Sequence, residues 1–205
     1  SEMCIRDRTL GAAIVLASKW NGEDGGRVWL DPMGGSGTLC IEAALIACNT
    51  APGLIRYRRT RPEACQWPDL LDRSEHEWGE VWEEACARDR RGERGDEKKL
   101  VLYNDIHEGS MELAKEAAER AGVYHMIDFS TAPCDAADME LPRSDLLIAT
   151  NPPWDRRIHR YAEKSWDSLR ALIERTDTMD LFCLAGEPTL VKRLGLKPRA
   201  NLALY

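Results

Sequence analysis

The stretch Val28-Trp-Leu-Asp-Pro-Met-Gly-Gly-Ser-Gly-Thr-Leu-Cys-Ile-Glu-Ala-Ala-Leu45 reads as a buried strand, a glycine turn and a helix. Val28, Trp29 and Leu30 form a short apolar run that Asp31 and Pro32 end. Gly34, Gly35 and Gly37 supply a tight turn that accepts positive φ at little cost. From Thr38 onward, Leu39, Ile41, Ala43, Ala44 and Leu45 continue as a helical run. Such a turn exposes backbone N–H groups at a helix start, where little side chain blocks a ligand.

The details of the turn narrow its chemistry. A phosphate-cradling P-loop needs Gly-Lys-Ser/Thr, and no lysine is present here. A dinucleotide fingerprint needs G-x-G-x-x-G, but Cys40 stands where the last glycine would be. What remains is an acidic residue at the strand end followed by G-G-S-G. A carboxylate suits a cationic ligand better than a pyrophosphate. This arrangement resembles the first motif of the S-adenosylmethionine (SAM) methyltransferases, in which the turn packs against the methionine part of the cofactor. An ordinary strand–turn–helix of some other α/β protein fits the same residues.

Working outward, the spacing predicts a helix over Thr9–Trp20 before the turn, and Ala51-Pro-Gly53 reads as the stop of the helix after it. Between Leu54 and Lys99 the pattern changes: prolines at 62 and 68 interrupt it, and Ser74–Arg90 reads as a helix with Trp78, Val81, Trp82 and Ala85 on one face. Ser74 and Glu77 fit a capping box. We read 54–99 as an insertion packed on the domain, its tryptophans forming a small core rather than a base-stacking platform. Strands are then expected at Leu100–Tyr103, Met126–Ser130, Asp145–Thr150 and Asp180–Leu184, with helices at Gly109–Gly122, Tyr161–Arg175 and Glu187–Leu194. Leu202–Tyr205 begins a further strand as the sequence ends. Strands alternating with helices mean a doubly wound, mostly parallel α/β sheet, whose ligands sit at the carboxyl ends of the strands. Asp31, Asp105, Asp135 and Asn151 all fall there.

Composition bounds the setting. The chain has 205 residues, 43% of them hydrophobic and 31% charged, enough for one substantial core. No apolar run is long enough to span a bilayer, and Ser1–Arg8 lacks the apolar core of a signal peptide. The seven cysteines are scattered with no C-x-x-C pair, so a reduced, cytoplasmic protein without a metal site is expected. A net charge of −7 weighs against a free-standing nucleic-acid binder. Two local basic clusters, Arg56–Arg61 and Arg156–Arg160, depart from that balance, and solvated surface explains the first as well as a nucleic-acid contact does.

Asp105 follows the second strand, where a carboxylate can accept from both hydroxyls of a ribose, although a helix-capping aspartate would look the same. Asp135 could accept from an adenine amino group. Asn151-Pro-Pro-Trp154 is the sharpest signal. Two prolines after a buried strand fix the backbone and remove two donors, so nearby carbonyls are expected to point outward with few internal partners. The Asn151 amide oxygen and the Pro152 carbonyl can both accept from one –NH2 group, and Trp154 offers a face for a ring to stack on. Together they suit a planar amine whose nitrogen is aimed at a methyl donor.

With these motifs in place, the sequence resembles the bacterial 23S rRNA guanine-N2 methyltransferases of the RlmL type, a SAM-dependent, class I (Rossmann-like) family related to THUMP-containing RNA methyltransferases. The resemblance rests on Thr9–Trp20, Asp31–Ala44, Ala51-Pro-Gly-Leu54, the tryptophan-bearing insertion, Asn104-Asp-Ile106, Asn151-Pro-Pro-Trp154 and Arg193-Leu-Gly-Leu196. It implies a methyltransferase domain over 9–205, with an unmatched leader at 1–8 and a last strand left incomplete. It implies SAM contacts from Asp31, Pro32, Met33, Gly34, Gly35, Gly37, Asp105, Ile106, Asp135 and Asn151. It places Asn151, Pro152, Pro153 and Trp154 at the reacting base, a guanine of 23S rRNA that is single-stranded or flipped out. It also implies an N-terminal THUMP region in the full-length protein. One departure stands out: the family's Asn-Pro-Pro-Tyr-Gly-Glu-Arg reads here as Asn-Pro-Pro-Trp-Asp-Arg-Arg157, with Asp155 replacing a glycine. Methylation of adenine N6 or of a glutamine amide on the same scaffold, and a non-catalytic RNA-binding module, remain as alternatives at this stage.

Overall fold

The computed structural model describes residues 2–23, 26–56, 75–93, 99–137, 141, 145–153, 159–176 and 179–200. Five strands, β1 (Val28–Asp31), β2 (Val101–Asp105), β3 (Ile127–Thr131), β4 (Leu146–Thr150) and β5 (Met179–Cys183), form one sheet in the order β3-β2-β1-β4-β5. All the pairings are parallel. Among the described residues, seven α-helices accompany them: α1 (Glu2–Ala17), α2 (Thr38–Ala47), α3 (Pro52–Arg56), α4 (Glu75–Arg88), α5 (Glu108–Ala121), α6 (His159–Glu174) and α7 (Pro188–Val191). Chain order reverses between β1 and β4, which makes their carboxyl ends the switch point where open α/β sheets bind ligands.

The sequence explains the layering. β1 and β4 are buried along their whole length, as central parallel strands covered on both faces must be. Side chains alternate between two cores. Trp29, Val101, Tyr103, Leu147 and Ala149 face the layer that includes α2 and α5. Val28, Leu30, Leu146 and Ile148 face α6 and its Trp166, Leu169 and Leu172. α2 is apolar nearly all round because it is buried nearly all round.

Two boundaries differ from the sequence reading. The first helix starts at Glu2, so residues 2–8 continue α1, and Arg8 Nε pairs with Glu42 Oε1 at 3.1 Å. Nothing in Glu2–Leu10 interrupts helical propensity. Ala51-Pro-Gly53 is not only a stop, since Pro52 opens the short α3 in the position where its missing N–H costs nothing. The expected helix of the 54–99 stretch appears as α4, while Ser74 of the capping box and the strand at Leu202–Tyr205 lie outside the described residues. After α4 the chain is pinned where α2 and α5 end. Asp89 accepts from Thr50 Oγ1 at 2.9 Å and from the Arg91 guanidinium, Arg91 Nη1 donates to the Ala121 carbonyl at 2.7 Å, and Arg90 N donates to the Cys48 carbonyl at 2.9 Å. These helix ends are opposite the carboxyl edge of the sheet.

Trp166 links the core to that edge. Its ring is fully buried on α6, and its Nε1 donates to the Pro153 carbonyl at 3.0 Å, holding the segment after β4. Trp166→Phe keeps an aromatic ring but leaves that carbonyl without this donor. We expect a loss of about 1–3 kcal/mol in urea unfolding; an unchanged midpoint would show that the bond does not hold the segment.

Candidate functional site

β1 ends in Asp31, and the turn that follows is fixed by its neighbours on β2. Gly34 N donates to the Asn104 carbonyl at 2.8 Å, and Gly37 N closes the turn on the Gly34 carbonyl at 2.8 Å. A Cβ on Gly34 would lie 2.2 Å from the Tyr103 ring, so no side chain fits there. The Tyr103 hydroxyl in turn donates to the Gly35 carbonyl at 2.7 Å. Gly37 has φ +77° and caps α2, and a Cβ on it would meet that of Ala114 at 2.8 Å. Gly35, with φ +51°, has nothing within 4 Å of the place a side chain would take, so the turn faces open space on that side.

Asp105 closes the arrangement from the end of β2. It is 8% exposed, and its two oxygens accept one backbone N–H each, from Gly35 and from His107, both at 2.8 Å. Each oxygen has a second acceptor site left. Buried Asn104 braces the neighbouring loops: its Nδ2 donates to the carbonyls of Pro32 at 3.1 Å and Ala132 at 2.9 Å, and its Oδ1 accepts from Ser130 Oγ at 3.0 Å.

Asp31 is the deepest charge here, 1% exposed. Burial pushes its carboxyl up to about 7; the neighbouring Thr150 hydroxyl and the Met33 N–H oppose that rise, and the charge of Asp105 adds to it. Met33 N lies 3.2 Å from Asp31 Oδ1. Thr150 Oγ1, at the end of β4, is buried without a partner at hydrogen-bond distance. Burial, and then the nearby Asp31, push up the thiols of Cys40 and Cys183, the latter to about 12. A buried carboxylate with one backbone donor favours a cationic group over an anion beside it.

Residues 6–178 match the family described as UPF0020, the RMKL-like methyltransferase domain. The chain belongs to this family. A ribosomal RNA large subunit methyltransferase K/L from Aliivibrio fischeri is 37% identical to it over 152 residues, 73% of this chain and 20% of that protein. Among solved structures, a predicted N6-adenine-specific DNA methylase from Listeria monocytogenes superposes with a TM-score of 0.77 at 25% identity, over 97% of this chain and 48% of that one. The protein SMU.472, crystallised with SAH, shares the fold with a TM-score of 0.75 at 23% identity, over 94% of this chain and 48% of that one. The chain thus spans about a fifth of the curated relative and about half of the solved structures. Its own sheet is that of a class I, Rossmann-like methyltransferase.

Of the residues singled out in the sequence, the methyltransferase fold brings together Asp31, Pro32, Met33, Gly34, Gly35, Gly37 and Asp105. Ile106 follows, 52% exposed. Asn151 is exposed after β4, Pro152 is buried and Pro153 half-buried; Trp154 lies outside the described residues. The expectation that the proline carbonyls point outward fails for Pro153, whose carbonyl is turned in to Trp166 because a buried indole N–H needs an acceptor. Asp135 does not join the cluster: it is exposed, and its Oδ2 accepts from Ser168 Oγ on α6 at 3.0 Å. Arg175, just past α6, draws the chain that way by donating to the carbonyls of Ala136 and Ala137. The sequence reading missed Tyr103, Asn104 and Thr150, which shape the site. Polar groups at strand ends directly before or opposite the acidic residues were the available signal.

The raised carboxyl of Asp31 sets a pH dependence. Its unfolded value is near 3.8 and its folded value about 7, so the folded chain binds more protons between them. Stability is therefore highest below that window and falls as pH rises through about 7, by an amount on the order of 4 kcal/mol from this group. Asp31→Asn should flatten the fall, read as urea midpoints from pH 4 to 7.5. Equal slopes in both proteins would contradict the assignment.

Proposed function

We propose that this domain binds SAM at the carboxyl ends of β1 and β2 and transfers its methyl group to the exocyclic N2 of a guanine in 23S rRNA. The observation that carries the reading is the convergence of Asp31, the glycine turn and Asp105 at the carboxyl ends of β1 and β2, beside the switch point of a sheet from a methyltransferase family. It is supported by the relative named as a large-subunit rRNA methyltransferase and by the neighbour crystallised with SAH.

The site's donors and acceptors fit the cofactor. The free acceptor sites of Asp105 suit the two ribose hydroxyls. Ile106 beside it offers an apolar surface for the adenine. Asp31 and the Thr150 hydroxyl face the cationic methionine end, with Pro32, Met33, Gly34, Gly35 and Gly37 leaving the backbone open to it. The cofactor supplies an electrophilic methyl carried on a sulfonium. Asn151 and Pro152 accept the two N–H bonds of the target amine, Pro153 fixes the backbone through Trp166, and Trp154 stacks on the base. Holding both hydrogens turns the nitrogen lone pair toward the methyl group; as the N–C bond formed the S–C bond would break, and the nitrogen would release one of its two protons to water. Catalysis is then mostly alignment, worth several kcal/mol.

A chain of net charge −7 has few phosphate contacts to offer. Capture of the rRNA therefore falls to a THUMP-type region N-terminal to this domain in the full-length protein, acting in the cytoplasm.

Methyl transfer from labelled SAM to protein-free 23S rRNA by the full-length protein, followed by nucleoside analysis, tests the proposal. N2-methylguanosine is expected, and N6-methyladenosine would replace guanine with adenine as the substrate. Trp154→Tyr should keep most activity. Trp154→Ala should lose roughly what a stacked base contributes, about 1–3 kcal/mol. Asn151→Ala should lose more. Near wild-type turnover in a folded, SAM-bound Asn151→Ala protein would remove this loop from the reaction.

A further inference from the structure

Two residues outside this scheme meet over it. His107 caps the start of α5, immediately after Asp105 and Ile106, and Tyr161 is in the first turn of α6, after the Asn151–Pro153 segment. His107 Nε2 and the Tyr161 hydroxyl are 3.2 Å apart in hydrogen-bond contact. Their rings stack with centroids 6.5 Å apart and planes 25° from parallel. In the sheet, β2 and β4 are separated by β1. A contact from the residue after β2 to the helix after β4 therefore crosses the carboxyl end of β1, where Asp31 and the glycine turn leave the sheet.

The pair is poorly suited to holding the fold. His107 is exposed and Tyr161 is 42% exposed. A hydrogen bond open to water contributes little to stability. Its place gives it another use. His107 has two attachments: its main-chain N–H holds Asp105 Oδ1, and its side chain holds the start of α6. One residue thus joins the proposed cofactor anchor to the element that follows the proposed acceptor segment. Methyl transfer needs donor and acceptor aligned closely, and a displacement of about 1 Å costs on the order of a hundredfold in rate.

We propose that His107 and Tyr161 are positioning residues, whose contact across the end of β1 sets the Asn151–Pro153 segment at a fixed distance from a methyl donor held by Asp105. The proposal rests on the methyltransferase reading above. Neither side chain is asked to touch the reacting atoms.

A double-mutant cycle of His107→Ala and Tyr161→Phe tests it with three readouts. Hydrogen exchange of the chain without ligands reports the bridge itself: amides at 159–165 should exchange faster in either variant, and unchanged exchange would overturn the bridge whatever the enzyme does. SAM calorimetry should give affinities within about twofold of wild type, since the N–H that holds Asp105 is main chain. In the full-length protein, kcat toward 23S rRNA should fall roughly tenfold in each variant, and no further in the double variant, at unchanged urea midpoint. Unchanged kcat, losses that multiply in the double variant, or a kcat loss that follows SAM affinity would each overturn the positioning role. Failure of the wild type to bind SAM or methylate rRNA would instead count against the methyltransferase reading, with the exchange data still deciding the bridge.

Discussion

Two backbone N–H groups, from Gly35 and His107, end on the carboxylate of Asp105, and most of the site's geometry depends on that meeting. One N–H comes from the turn after β1 and the other from the start of α5, so a single charge fastens two loops that are far apart in sequence. Hydrogen bonds to a charged acceptor are about twice as strong as neutral ones. Around this point Tyr103 fills the space a Gly34 side chain would need, and Asn104 ties Pro32 to Ala132. The turn is thus rigid where it touches β2 and open at Gly35.

Asp31 poses the opposite problem. Where Asp105 is satisfied by donors, Asp31 is buried with a single N–H from Met33 and a hydroxyl beside it, and its charge is costly. Such a group stores an unfavourable energy that a cationic partner relieves. In the proposed reading the two carboxylates divide the site, Asp105 accepting from neutral hydroxyls and Asp31 meeting positive charge. α6 adds two further contacts, through Trp166, which donates to the Pro153 carbonyl, and through Tyr161, which meets His107.

Much of this was legible in the sequence, because the signals were local. The glycine turn, the fully apolar central strands and Gly122 as a helix stop with φ +73° each follow from a few adjacent residues. The acidic strand ends at Asp31 and Asp105 were legible for the same reason. What escaped depends on residues distant in the chain. That Gly34 is glycine on account of Tyr103 requires the register of β1 against β2. The diversion of Asp135 to Ser168 requires knowing that the chain after β3 runs against α6. The His107–Tyr161 contact requires the strand order itself.

The most direct measurement is calorimetric titration of SAM into this chain and into its Asp105→Ala variant, with folding of both checked by circular dichroism. Saturable one-site binding by the wild type is expected, with a loss of about 1.5–3 kcal/mol or more in the variant, because each lost bond is to a charged acceptor. A folded wild type that does not bind SAM, or a variant that binds it equally well, would contradict the account.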